Sequence, residues 1–263
     1  MSLRPLFTRA DDAGACADVN HGILDCLETG LVHNVSVMVV GPAFEQIAAR
    51  LRDRDDIAVG LHLTLNAEWP SARWRPVLPP DRIPGLVDAD GAFTTSPSML
   101  HDRSADLGEM IAETRAQLAR ARDAGLRISY LDTHMGVGWV RGESLGGRWR
   151  GGLATCLEVV AREQRLVFAD ALAPALELPP ADDPFAAWNA ALAREAAGPR
   201  ALVTHPAVAG PELLAFTNAD HRPGLVAAAR DAERRAWLHP GLAARLRDHG
   251  WRPARYDETA PAA

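Results

Sequence analysis

Asp11 and Asp12 stand side by side in the run Arg9-Ala10-Asp11-Asp12-Ala13-Gly14, at the end of an apolar stretch. Adjacent carboxylates this close to a prospective core admit two readings: one caps the following helix while the other is solvated, or both serve a site. His62, His134 and His205 are the imidazoles that could complete such a site. One carboxylate with two imidazoles is a common donor set for a catalytic divalent ion, and it leaves positions open for water and substrate. An ion of this kind brings water to a pKa of about 7 and polarises a carbonyl, which is the chemistry that amide or ester hydrolysis needs. Each histidine also has a plain structural reading. His62 suits a hydrogen-bonded strand residue, and His205 before Pro206 suits a turn.

The elements that must hold these residues follow from hydrophobic periodicity. Apolar runs rich in β-branched residues predict strands at 3–8, 33–40, 57–65, 128–134, 166–170 and 200–205, with a short further segment at 251–258. Between them, helical spacing predicts helices at 16–30, 43–54, 107–125, 153–164, 184–197, 223–238 and 241–250. Strands alternating with helices imply βα units and a mostly parallel sheet. About seven strands point to a closed or nearly closed (β/α) barrel, with an open doubly wound sheet as the alternative. In such folds function collects at the carboxyl ends of the strands. Asp11-Asp12, His62, Asp132-Thr133-His134 and His205 all fall there. Asp132 and His134 would share one face of their strand. Asp132 is then either a carboxylate that orients an imidazole or a strand-end cap.

The remaining features bound the function. The chain has 263 residues, 48% of them hydrophobic, and a formal net charge of −6 with both signs interspersed. That gives neither a basic stripe for nucleic acid nor a polybasic block for a membrane surface. No apolar run reaches the roughly 18 residues of a membrane span, and no G-x-G-x-x-G or P-loop pattern marks a nucleotide site. Cys16, Cys26 and Cys156 are odd in number and lack metal-type spacing, which fits a reduced, cytoplasmic setting. Residues 66 to about 103, with many prolines and turn pairs such as Asp90-Gly91, form a long excursion expected near a site. The Gly-rich and Arg-rich segment 136–152 follows His134 directly. It reads either as a solvated loop or as a substrate clamp, with Trp139, Arg141 and Arg148 as contacts to a substrate bearing a carboxylate or phosphate.

Taken in order, these motifs resemble the YdjC-like carbohydrate deacetylases, the ChbG/HpnK family. Arg9–Gly14 is similar to the family's N-A-D-D-F-G, Gly60–Asn66 to G-x-H-L-x-L-T, Asp132–His134 to D-[ST]-H, and His205–Ala207 to H-P-G. "LVDADGAF" at 86–93 and "RDAERRAWL" at 230–238 are similar to further family segments. The resemblance covers nearly the whole chain and implies one domain over 1–263 with an irregular (β/α) barrel fold. It implies a divalent ion, Zn²⁺ or Mg²⁺, held by Asp12, His62 and His134, with Asp11 as general base and His205 as the acid or polarising group. The implied reaction removes an acetyl group from an N-acetylated sugar, and the implied assembly is a homodimer. This sequence departs from the pattern at Arg9 and Ala13, where the family usually has Asn and Phe. It also departs at Gly136 and Gly138, where the family often has further histidines. Two other expectations stay open beside it: a hydrolase of a non-sugar N-acyl or ester substrate, and a non-catalytic metal- or sugar-binding relative.

Overall fold

The first strand runs further than its apolar stretch. A computed structural model describes residues 3–145, 148–194 and 198–259, the side chains of 144–150 excepted. In it β1 spans Arg4–Ala13, carries both aspartates inside the strand, and is buried from Leu6 onward. The physical reason is its partners. β9 (Trp251–Ala254) pairs with Arg4–Phe7, β8 (Arg200–Thr204) with Leu6–Ala10, and β2 (Asn34–Val37) with Arg9–Ala13, all in parallel. A strand flanked along its whole length has its backbone polar groups satisfied and tolerates polar side chains that find partners of their own.

The sheet continues from β2 to β3 (Ala58–Leu63), β4 (Ile128–Thr133) and the short β7 (Val167–Phe168), giving the order β7-β4-β3-β2-β1-β8. Beyond β8, Ala175 forms a parallel bridge to Ala201. The result is a curled, mostly parallel sheet that makes an irregular, incomplete barrel, as the alternating pattern predicts. Helices α1 (Ala17–Leu27), α2 (Phe44–Leu51), α4 (Leu107–Asp123), α5 (Gly152–Glu163), α7 (Pro184–Ala193) and α9 (Leu225–Trp237) accompany the strands; the short α3 (Pro97–Asp102), α6 (Ala169–Leu172), α8 (Pro211–Leu214) and α10 (Leu242–Asp248) fill the connections. α1 and α2 lay Val19, Ile23, Phe44 and Ile47 against Val35 and Val37 in one buried cluster.

Two expected loops carry structure. Residues 136–152 contain an antiparallel hairpin, β5 (Gly142–Leu145) with β6 (Arg148–Gly151). The excursion after β3 buries Trp69, Trp74, Ile83, Leu86, Phe93 and Leu100. Side chains of α4 tie it down: Glu113 accepts from the Val77 and Leu78 amides at 2.8 and 2.9 Å, and Glu109 accepts from Gly85 at 2.8 Å. Strand β2 is shorter than the apolar run, ending at Val37 because the chain turns at Met38–Gly41, where the Gly41 amide bonds the Met38 carbonyl. No helix among the described residues is long and apolar enough to cross a membrane. Cys16 and Cys26 are buried thiols, and burial pushes Cys16 up to about 11, so both act as packing groups.

Candidate functional site

In a regular strand, Asp11 and Asp12 would point to opposite faces. Here the β1–β2 register shifts between Ala10 and Ala13, and Asp12 takes a left-handed backbone conformation with φ 67°. Asp is among the residues that enter this region most readily, and bulges of this kind re-aim a side chain. The two carboxylates thereby reach His62 from two sides.

On the cavity side, three donor atoms form a triangle. Asp12 Oδ1 lies 3.3 Å from His62 Nε2 and 3.2 Å from His134 Nδ1, and those two nitrogens are 3.3 Å apart. Ligands placed about 2.0–2.1 Å from a tetrahedral ion are separated by roughly 3.3–3.4 Å, so the triangle has the dimensions of one face of such a site. Asp12 Oδ1 is buried and has no aligned hydrogen bond. An oxygen left in that state is costly unless a cation or proton meets it. The donor set therefore fits a divalent ion. Each imidazole is also backed by a carboxylate on its far nitrogen. His62 Nδ1 faces Asp132 Oδ1 at 3.1 Å, and His134 Nε2 faces both Glu68 oxygens at 3.1 Å. Such backing fixes the tautomer and turns a lone pair toward the metal position.

On the other side of His62, Arg9 organises a second group. Its Nη2 donates to Asp11 Oδ2 at 2.9 Å, its Nε lies 2.8 Å from Asp11 Oδ1, and its Nη1 lies 2.9 Å from Asp132 Oδ2. Ser36 donates to Asp132 Oδ2 at 2.7 Å and meets the Tyr130 hydroxyl at 2.8 Å. Gly60 makes this possible: a Cβ there would stand 2.2 Å from the Tyr130 ring. Asp170, on α6, accepts from Thr133 Oγ1 at 2.6 Å and lies 3.7 Å from Arg9.

The charges set the protonation states. Burial pushes the Asp12 carboxyl up, but Arg230 and His134 outweigh it and hold Asp12 well below the usual carboxylate range. Arg230 Nη2 sits 2.7 Å from Asp12 Oδ2. Burial pushes His62 down, yet Asp132, Asp11 and the contact to Asp12 hold it well above an ordinary histidine. The same contest at His134, with Glu68 and Asp12 as the carboxylates, ends at about 9. Burial also opposes the charge on Asp132, and Arg9 and His62 lower its pKa against that. Asp170 is pushed up to about 6 by burial and by Asp132. The site is thus a buried negative field that draws in cations or protons.

Asp12 and His134 open onto a cavity of about 850 Å³ that is also lined by Glu68, Trp69, His205 and Arg230. Of the residues expected from the sequence, Asp11, Asp12, His62, Asp132 and His134 come together, and His205 lies on the same cavity wall, its amide donating to Glu233 at 2.5 Å. Trp139 and Arg141 are not among the lining residues. The Trp139 ring packs 5.2 Å from the His101 ring, and the exposed Arg141 donates its amide to His101. The turn at Met135–Gly136, both with positive φ, carries the chain away from the cavity toward the hairpin. Arg148 falls in β6, and its side chain lies outside the described residues. Sequence reasoning missed Glu68, Arg230 and Asp170. Glu68 lies in the aperiodic excursion, and Arg230 opens the "RDAERRAWL" segment without any local sign that it reaches a carboxylate on β1.

Known proteins resemble this chain at the levels of sequence and fold. The family described as "YdjC-like protein" matches residues 5–144. A carbohydrate deacetylase of Brevibacillus brevis is 32% identical over 129 residues, covering 49% of this chain and 48% of that protein. A carbohydrate deacetylase of Thermoanaerobacter pseudethanolicus is 29% identical over 133 residues, covering 50% of each. The matched stretch spans about half the length of these curated relatives. A crystal structure from Enterococcus faecalis V583, described as a cellobiose-phosphate cleavage protein, shares the fold with a TM-score of 0.80 at 19% identity, covering 99% of this chain and 100% of that one. With a family match over more than half of its length, containing both aspartates, His62 and His134, the chain belongs to the YdjC-like protein family.

Proposed function

We propose that this chain is a metal-dependent hydrolase that removes the acetyl group from an N-acetylated sugar, acting as one domain over 1–263 in the cytoplasm. The observation that carries the reading is the triangle of Asp12, His62 and His134, with edges of 3.2–3.3 Å and each imidazole backed by a carboxylate, which meets a cavity through Asp12 and His134. The names of the relatives, carbohydrate deacetylases, supply the reaction class.

A divalent ion, Zn²⁺ or Mg²⁺, in the triangle would supply Lewis acidity toward the acyl oxygen and make water a nucleophile near neutral pH. Asp11 takes the proton of the attacking water. Arg9 faces both Asp11 oxygens, donating to Oδ2 at 2.9 Å with Nε 2.8 Å from Oδ1, and so fixes the orientation of the carboxylate. His205 returns a proton to the leaving amine. Arg230 Nη1, buried and without a hydrogen bond, offers a donor to the acyl oxygen or to a sugar hydroxyl. Trp69 and Met135 give the cavity an apolar wall for the acetyl methyl or a sugar face.

The test is acetate release. Purified protein supplied with Zn²⁺ or Mg²⁺ is offered N-acetylated mono- and oligosaccharides beside N-acetyl amino acids and aryl acetates. Metal-dependent release from the sugars supports the reading. Turnover confined to the non-sugar substrates, or no turnover of any, would overturn it.

A further inference from the structure

The donor triangle is not the only cluster at this site with metal-ligand chemistry. Asp11, His62 and Asp132 also bring ligand atoms within 4.8 Å of one another. All three are buried, and Asp170 adds a third carboxylate, whose Oδ1 lies 3.7 Å from Arg9. Three carboxylates with the Ser36 hydroxyl form an oxygen-rich set of the sort that suits a hard cation. In this chain a side chain stands there instead. Arg9 is 6% exposed, and its guanidinium touches Asp11 through two nitrogens and Asp132 through the third. A planar fork of donors matches carboxylates in pairs and keeps its charge when buried. His62 cannot serve two ions in its neutral form. With Nε2 turned to the triangle, Nδ1 carries the proton and donates to Asp132.

We infer that Arg9 is a built-in cation. Its guanidinium fills the position between Asp11, Asp132 and Asp170 that would otherwise take a second metal ion, so the chain binds one divalent ion and holds Asp11 as a paired carboxylate. The inference rests on the proposed metal site at Asp12, His62 and His134. It concerns a different set of atoms and has its own readout.

The experiment measures bound metal and thermal stability in three full-length proteins: the parent, Arg9→Ala and Arg9→Lys. Metal is removed by chelation, Mg²⁺ or Zn²⁺ is returned in excess, and content is read after desalting. The parent is expected to hold one ion. Arg9→Ala leaves buried carboxylates without a counter-charge, so its metal-free melting temperature should fall by about 10 °C. Excess Mg²⁺ should restore most of that loss as a second ion enters, whereas Arg9→Lys, which keeps the charge without the fork, should hold one ion and lose less of its melting temperature than Arg9→Ala. Two ions in the parent would overturn the inference even if Arg9→Ala cannot be purified. So would a folded Arg9→Ala that saturates at one ion and gains no more from Mg²⁺ than the parent does. A parent that binds no ion would instead refute the triangle as a metal site, which separates the two failures.

Discussion

His62 divides the site into two clusters built from the same kinds of side chain. Toward the cavity, its Nε2 joins Asp12 and His134, with Glu68 behind, and the donor atom Asp12 Oδ1 has no aligned hydrogen bond. Toward the barrel interior, its Nδ1 joins Asp132, with Asp11 alongside, and Arg9 is inserted among the carboxylates. Carboxylates and imidazoles alone therefore do not define a metal site. What distinguishes the clusters is the cation already present. Arg9 fills the inner one, while Arg230 takes only one oxygen of Asp12 and leaves the other facing the two ring nitrogens.

The strongest way to break this comparison is to remove the residue both clusters share. His62→Ala should abolish metal binding and hydrolysis together while the far-ultraviolet circular dichroism stays that of the parent. Undiminished metal content would remove His62 from the triangle. Asp11→Asn acts on the inner cluster alone. It should leave one ion bound and reduce kcat by about 10²- to 10⁴-fold, the usual contribution of a positioned base. A loss of only a few-fold would deny Asp11 that task. Glu68→Gln acts behind the triangle and should weaken metal affinity by about 10- to 100-fold at an unchanged stoichiometry of one. An unaltered affinity would show that Glu68 does not tune His134.

The pH dependence sharpens the comparison with a smaller effect. Folding raises His134 from an ordinary 6.5 to about 9, because Glu68 and Asp12 outweigh burial. A group whose pKa is raised in the folded state adds stability in full below its unfolded pKa and loses it as pH climbs through the folded one. The metal-free protein should therefore melt progressively lower from about pH 6.5 to 9. The metal-loaded protein should hold its melting temperature over that window, since the ion takes the place of the proton. Parallel melting curves for the two forms would count against an ion at His134.

Much of this architecture is legible in the sequence because it rests on periodicity. The strands ending near Asp12, His62, Asp132 and Thr204 alternate with amphipathic helices, and the motif residues fall at their carboxyl ends. The adjacency of Asp11 and Asp12 is legible as an oddity, and its resolution is not. The left-handed turn of Asp12 comes from the β1–β2 register shift, a property of two strands together. Glu68 reaches His134 from the start of the aperiodic excursion after β3, which Glu113 and Glu109 of α4 tie down further along at Val77 and Gly85. Arg230 reaches Asp12 from a helix near the other end of the chain. Arg9 reads in the sequence as a departure from a familiar motif. Only the neighbouring positions of Asp11, Asp132 and Asp170 show what its charge meets. The Gly-rich segment follows a proposed ligand residue in sequence, but sequence adjacency does not place it: the Trp139 ring packs against His101 and the Arg141 amide bonds His101, neither residue lining the cavity.

The most direct measurement is acetate release from an N-acetylated sugar as metal is returned stepwise to chelated protein. The account predicts no release without metal, a linear rise to one equivalent of ion per chain, and a plateau beyond it. Release that is indifferent to chelation, or that keeps rising to a second equivalent, would contradict it.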